Sequence, residues 1–222
     1  MIYKYFIQPQ INGTNQSLIG YELLMKYAEG GNWRTPVSFA SIPISVITAE
    51  LRATTHQVAL KVPSVSVNLN HTQVLNQDIL TALIDVQNHI RPVQLVVEMT
   101  EELTDAAVSS EQLLPVIQQY TAYGLEVSLD DVGTGLNTLE HLSVFLPVAS
   151  ELKFALQNSP NGLRDSNVRQ ELLSWRDLAI QHNLRFILEG IETAEDDRLA
   201  TELNIPLRQG YYYGKPHLLT TN

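Results

Sequence analysis

Residues 125–135 read Leu-Glu-Val-Ser-Leu-Asp-Asp-Val-Gly-Thr-Gly. An apolar-alternating run delivers two adjacent carboxylates, Asp130 and Asp131, into a turn built on Gly133 and Gly135. Neighbouring carboxylates repel each other unless a cation lies between them. Asp and Gly are also ordinary turn formers, so this pair gains meaning only if other segments bring similar groups to the same place. Several do: Glu22, Asn68, Glu98 with Glu101, Lys153, Glu189 with Glu192, and Gln209 each stand in or just beyond a run with strand character. Taken singly, Glu22 or Glu98 could pair with a basic side chain, Asn68 could cap a helix, and Lys153 could lie along the surface. Taken together, that many carboxylates at one end of a sheet would be strongly repulsive without divalent cations. Hard oxygen donors select Mg²⁺, Mn²⁺ or Ca²⁺ over Zn²⁺. An Asp able to bridge, with a second beside it, suggests two ions. Two ions roughly 3.5–4 Å apart are the usual apparatus for displacement at phosphorus.

The elements that must position these groups follow from hydrophobic periodicity. Runs rich in Val, Ile, Leu and Tyr predict strands over Ile2–Ile11, Leu18–Met25, Val65–Asn70, Gln94–Met99, Leu125–Asp130, Glu151–Ala155, Arg185–Glu189 and Leu207–Tyr213. Helical spacing covers Val37–Val58, with Pro43 as a break, then Thr72–His89, capped by Asn70 or Thr72. It recurs over Ser110–Ala122, Leu136–Phe145, Ser166–Gln181 and Ala194–Leu203. Strands alternating with helices predict an α/β fold, a (β/α)8 TIM-like barrel whose site lies at the C-terminal ends of the strands. An open doubly wound sheet is the runner-up. Between the first two strands, Ile11-Asn12-Gly13-Thr14-Asn15-Gln16 leaves no room for a helix. Asn-Gly between apolar strands signals a hairpin, so the first strand should run antiparallel to the second.

Composition narrows the function classes. The 222 residues suit a single domain spanning 1–222, with a 44% hydrophobic content large enough for a sizeable core. A net charge of −10 argues against broad binding to DNA, whose phosphates demand Lys and Arg. The absence of Cys excludes disulfides and thiolate metal sites. No apolar stretch approaches a membrane span, and the opening Met1-Ile2-Tyr3-Lys4-Tyr5-Phe6 does not suit a signal peptide. A cytoplasmic location is the expectation.

The residues also resemble a known family. Tyr21-Glu22-Leu23-Leu24 resembles the Glu-Ala-Leu motif that names EAL domains, and Val67-Asn68-Leu69-Asn70 resembles their Val-Asn-Leu-Ser. Glu98-Met99-Thr100-Glu101 is similar to Glu-Ile-Thr-Glu, and Asp130–Gly135 to Asp-Asp-Phe-Gly-Thr-Gly. Glu189–Thr193 resembles Glu-Gly-Val-Glu-Thr, and Gln209–Pro216 the terminal Gln-Gly-Tyr-x-x-Gly-Lys-Pro. The motifs occur in order along nearly the whole chain. The resemblance implies a bacterial signalling phosphodiesterase that uses Mg²⁺ or Mn²⁺ to open cyclic di-GMP to linear pGpG. It implies that Glu22, Asn68, Glu98 and Asp130 bind one metal and that Asp130 and Asp131 serve a second. It makes Lys153 and Glu189 catalytic, Lys153 holding water or phosphate and Glu189 acting as its partner or as general base. It gives Gln8 and Lys26 substrate contacts, makes Glu101 a loop anchor, and leaves Glu192 and Gln209 in the outer shell. A homodimer and a protein signalling partner are further implications.

The sequence also departs from the family pattern. Strand six carries Lys153-Phe154-Ala155 where active members have Lys-Ile-Asp, and that Asp serves the second metal. The stretch from Pro147 to Lys153 is one residue longer than usual. Val132, Leu136 and Asn137 alter the loop that couples metal binding to dimerisation, and Lys26 replaces a phosphate-binding Arg without its bidentate fork. Two readings follow: an active cyclic di-GMP phosphodiesterase, or a degenerate EAL domain that binds cyclic di-GMP or a protein without turnover. A glycosidase, which two acids alone would allow, suits Asn68, Lys153 and the surplus carboxylates poorly.

Overall fold

In a computed structural model, residues 1–36, 39–100, 108–135, 137–159 and 161–219 are described. The first two strands, β1 (Tyr3–Asn12) and β2 (Ser17–Glu29), form a long antiparallel hairpin around Gly13–Gln16. The hairpin predicted from Asn12-Gly13 is therefore present, with a register shift between Gln10 and Ile11. A short strand, β3 (Asn32–Arg34), folds back on the far end of β2 through Gly30 and Gly31. The sequence reading missed it, because three residues carry too little periodicity to register.

Six further strands follow: β4 (Ser64–Asn70), β5 (Gln94–Thr100), β6 (Glu126–Leu129), β7 (Glu151–Ala155), β8 (Arg185–Glu189) and β9 (Leu207–Gln209). Each pairs in parallel with the next, and β4 pairs in parallel with β2. Strand β1 joins β2 on one side and β9 on the other, antiparallel to both, and so closes an eight-stranded barrel. Closure removes the exposed edges an open sheet would leave, and the doubly wound alternative is excluded.

The helices largely follow the predicted spans, with physical corrections at their ends. Helix α1 (Ile44–Val58) begins after Pro43, which occupies the N-cap position instead of kinking a longer helix. The predicted helix over 72–89 is two helices, α2 (His71–Val74) and α3 (Gln77–Ile90). Asn70 caps the first, accepting from Gln73 N at 2.8 Å, and Asn76 caps the second. A second Asn cap inside one apolar period splits it. Then come α4 (Ser110–Ala122), α5 (Leu139–Leu142), α6 (Ser166–His182) and α7 (Ala194–Glu202). Helix α5 keeps only the centre of its predicted span.

Side chains alternate across each strand. Val65, Val67, Leu95, Val97, Val127, Leu129, Leu152 and Leu188 are buried in the main apolar core, which includes Leu51, Leu83, Ile117 and Leu172 of the helices. The intervening positions point into the barrel and carry Ser66, Glu98, Ser128, Lys153 and Glu189, all buried. At the opposite end, Arg185 pairs with Glu126 and Glu151, so the first residues of β6, β7 and β8 form an ionic trio well away from that cluster. No helix among the described residues is long and apolar enough to cross a membrane.

Candidate active site

The inward positions converge on one ammonium group. Lys153 Nζ lies 2.5 Å from Glu189 Oε1, 2.9 Å from Glu98 Oε2, 3.9 Å from Asp130 Oδ1 and 4.0 Å from Glu22 Oε2. Parallel register makes this happen: Asn68 stands beside Glu98 on β4 and β5, and Ala155 beside Glu189 on β7 and β8. Lys153, in the middle of β7, faces inward and is 1% exposed. Glu22 is mid-strand, not at a strand end, because β2 continues past the barrel into the hairpin with β1 and β3.

Four carboxylates share this single cation. The close contacts to Lys153 are not aligned as hydrogen bonds: Nζ, both Glu98 oxygens and Glu189 Oε1 are buried without a hydrogen-bond partner. Burial pushes the Glu98 carboxyl well above its ordinary range, against the opposing pull of Lys153. Burial likewise raises Glu189 to about 8 and Asp130 to about 6, again with Lys153 acting in the opposite direction. Burial works against the charge on Lys153, yet Asp130, Glu189, Glu98 and Glu22 together raise its affinity for its proton.

Glu22 is oriented by amides from both sides. Asn68 Nδ2 donates to Glu22 Oε1 at 2.7 Å, and Gln209 Nε2 donates to Glu22 Oε2 at 2.5 Å. The carbonyl oxygens of both amides are thereby left to face other groups, and Gln209 Oε1 is buried and unpartnered.

The opening Asp pair sits on a strained turn. Asp131 takes a left-handed φ of 49°, a conformation that Asp tolerates better than most residues. Its carbonyl accepts from Thr134 Oγ1 at 2.7 Å. Gly133 follows with φ 89°, a left-handed conformation that favours glycine. Asn137 reaches back to Asp130 O at 2.9 Å and fixes the loop base. Asp130, Asp131 and Glu189 can each aim an oxygen within 4.8 Å of the others.

These groups open into an acidic cavity of about 330 Å³ lined by Gln8, Glu22, Asp130, Asp131, Glu189 and Glu192, among others. A more apolar cavity of about 290 Å³ adjoins it and shares Gln8, Leu24 and Tyr211. Lys26 belongs to this second cavity, with its ammonium 4.8 Å from the Phe6 ring centre. Gln8 donates to Gly214 O at 3.4 Å. Glu192 is exposed at the rim. The predicted loop anchor Glu101 lies outside the described residues. Tyr211, half-exposed between the cavities, was passed over although it stands inside the Gln-Gly-Tyr motif. Gln157 and Asn158 were also passed over, since nothing in the sequence says that the chain after Ala155 turns back over the cavity.

The donor set fits a hard divalent cation. It is all oxygen, and two buried oxygens, Glu98 Oε1 and Gln209 Oε1, lack a partner that a cation would supply.

Comparison with known proteins assigns the chain to a family. The family model for the EAL domain matches residues 3–216. A probable cyclic di-GMP phosphodiesterase of Escherichia coli K12, PdeB, is 26% identical over 94% of this chain and 41% of its own length. The cyclic di-GMP phosphodiesterase PdeR of the same strain is 34% identical over 68% of this chain and 23% of its own. The chain thus spans less than half the length of these relatives. Among solved structures, the Bacillus subtilis YkuI protein, crystallised with cyclic di-GMP and calcium, superposes with a TM-score of 0.79. That match is 19% identical and covers 99% of this chain and 57% of the other. With the barrel, its reversed first strand and a family match over nearly every residue, the chain belongs to the EAL-domain family.

Proposed function

We propose that this chain, read as a single barrel domain over 1–222, is a divalent-metal-dependent phosphodiesterase that hydrolyses cyclic di-GMP to linear pGpG. The observation that carries the proposal is the convergence of Glu22, Glu98, Asp130 and Glu189 within 4.0 Å of Lys153 Nζ. Asp130, Asp131 and Glu189, with Glu22, Asn68 and Glu98 behind them, would hold Mg²⁺ or Mn²⁺. A bound ion of this kind supplies Lewis acidity at the phosphoryl group.

The chain's own residues account for the rest. Lys153 offers a buried positive charge that offsets the negative charge gathering on phosphate oxygens as the attacking and leaving oxygens exchange. Glu189 lines the acidic cavity 2.5 Å from Lys153 Nζ, where its carboxylate is placed to take a proton from the attacking water. Gln8 and Tyr211, where the two cavities meet, offer an amide and an aromatic face to a guanine base. Lys26 supplies a cation for the distal phosphate in the adjoining cavity.

The test is incubation of the purified protein with cyclic di-GMP and either Mg²⁺ or Mn²⁺, with Glu22→Ala as the control. Linear pGpG is expected from the wild type alone. Its absence with both metals would sink the catalytic reading. Ala155, apolar where a carboxylate is expected, favours a second reading, in which the domain binds cyclic di-GMP without turnover. Calorimetry with Ca²⁺ present isolates that case: binding without product supports it.

A further inference from the structure

Directly after Ala155 the chain makes a single turn of 3-10 helix, Leu156–Asn158, over the acidic cavity. Asn158 Nδ2 donates to Asp131 Oδ1 at 3.0 Å, and Gln157 lines the same cavity. Ala155 itself sits beside Glu189 in the sheet register. Strand β7 therefore brings two amides, and no carboxylate, to the side of the cavity where Asp131 stands.

We propose that Asn158 takes the place of a second metal ion, satisfying Asp131 by a hydrogen bond and making this a single-ion centre. The inference rests on the reading of the acidic cavity as a divalent-cation site. Three features support it. An amide that donates to a carboxylate turns its N–H groups toward that carboxylate, and an N–H cannot ligate a cation. The Asp131 oxygen that accepts this bond has correspondingly less capacity for a metal. Asp131 is also held from its backbone side, where Thr134 N and Oγ1 both reach its carbonyl, so the point from which its side chain projects is fixed beside Asn158. The remaining donors still make one site. Asp130 and Glu189 lie within mutual reach, and the buried, unpartnered Gln209 Oε1 belongs to a residue lining the same cavity.

The inference is tested with Mn²⁺ alone, with no nucleotide and no turnover. Calorimetric titration of the wild type is expected to saturate at one equivalent, with the six-line electron paramagnetic resonance spectrum of an isolated ion. Asn158→Asp replaces the donor by a carboxylate in the same place. That variant is expected to take a second equivalent and to show the exchange-coupled spectrum of paired ions. Two equivalents in the wild type would overturn the single-ion proposal while leaving the metal site intact. Asn158→Asp remaining at one equivalent would overturn the role given to Asn158. No Mn²⁺ bound to the wild type would overturn this inference and the metal-dependent reading together.

Discussion

Lys153 is the residue on which the site's electrostatics turn. Among the described residues it is the one ammonium in contact with Glu98, whose carboxylate is fully buried. Removing one partner of a buried ion pair costs roughly 3–5 kcal/mol, because the other charge stays behind in a poor dielectric. Lys153→Met is therefore expected to lower the melting temperature of metal-free protein markedly, and added Mn²⁺ to recover part of the loss. A melting temperature unchanged by the substitution would mean that the carboxylates do not depend on Lys153. The acids predict a pH dependence of their own. Asp130 and Glu189 bind their protons more tightly when folded, at about 6 and about 8, than at ordinary carboxyl values. An acid raised in this way favours the folded state most below its unfolded value and progressively less as the pH climbs through its folded one. Metal-free protein should accordingly melt highest near pH 5 and lower at pH 8, as thermal melts across that range would read. A flat profile would contradict the assignment. At this scale much was legible: Glu22, Asn68, Glu98, Asp130, Lys153 and Glu189 were singled out by type and position. Asn158 was not, because a polar residue three positions past a strand carries no sign of where its chain will turn.

At the scale of elements, strand lengths and hairpins were readable because they depend on local alternation and on turn residues. Strands β7 and β8 begin and end at their predicted residues. Strand β9 stops at Gln209, shorter than the alternating aromatic run predicted. The reason is tertiary: at Gly210 the backbone passes so close to Ile191 that a Cβ would lie 2.1 Å from Ile191 O. Ile191 N also donates to Gln209 O, and Tyr212 N to Ile191 O. Gly210→Ala would force these two segments apart, and both carry cavity residues. Overpacking of this kind costs about 1–3 kcal/mol, more where backbone must move. The expected result is a denaturation midpoint lowered by a corresponding amount, together with weaker Mn²⁺ binding. A neutral effect would show that the contact is soft. Arg208, 2% exposed, ties the same region together through Asp197, Thr201 and Ile205.

For the whole molecule, the decisive feature is that the chain's first strand closes what its last strand would leave open. Strand β1 lies between β2 and β9, with Gln10 opposite Gly20 and Gln209. It also brings Gln8 to the acidic cavity. Deleting residues 1–12 would leave two unpaired edges and an incomplete site. The truncated chain is expected to lose cooperative unfolding and to self-associate, as melts and size-exclusion chromatography would register; a cooperative monomer would show that closure is dispensable. The sequence by itself determined the strand–helix alternation, the reversed first strand, the acidic character and the family, because these depend on local periodicity and on motifs contiguous along the chain. Only the tertiary structure decided that Glu98 is held by Lys153, that Asn68 and Gln209 grip Glu22 from two sides, and that an amide from Asn158 meets Asp131. Those contacts join residues far apart in the chain, and their geometry is set by strand register and barrel closure, which no local pattern encodes.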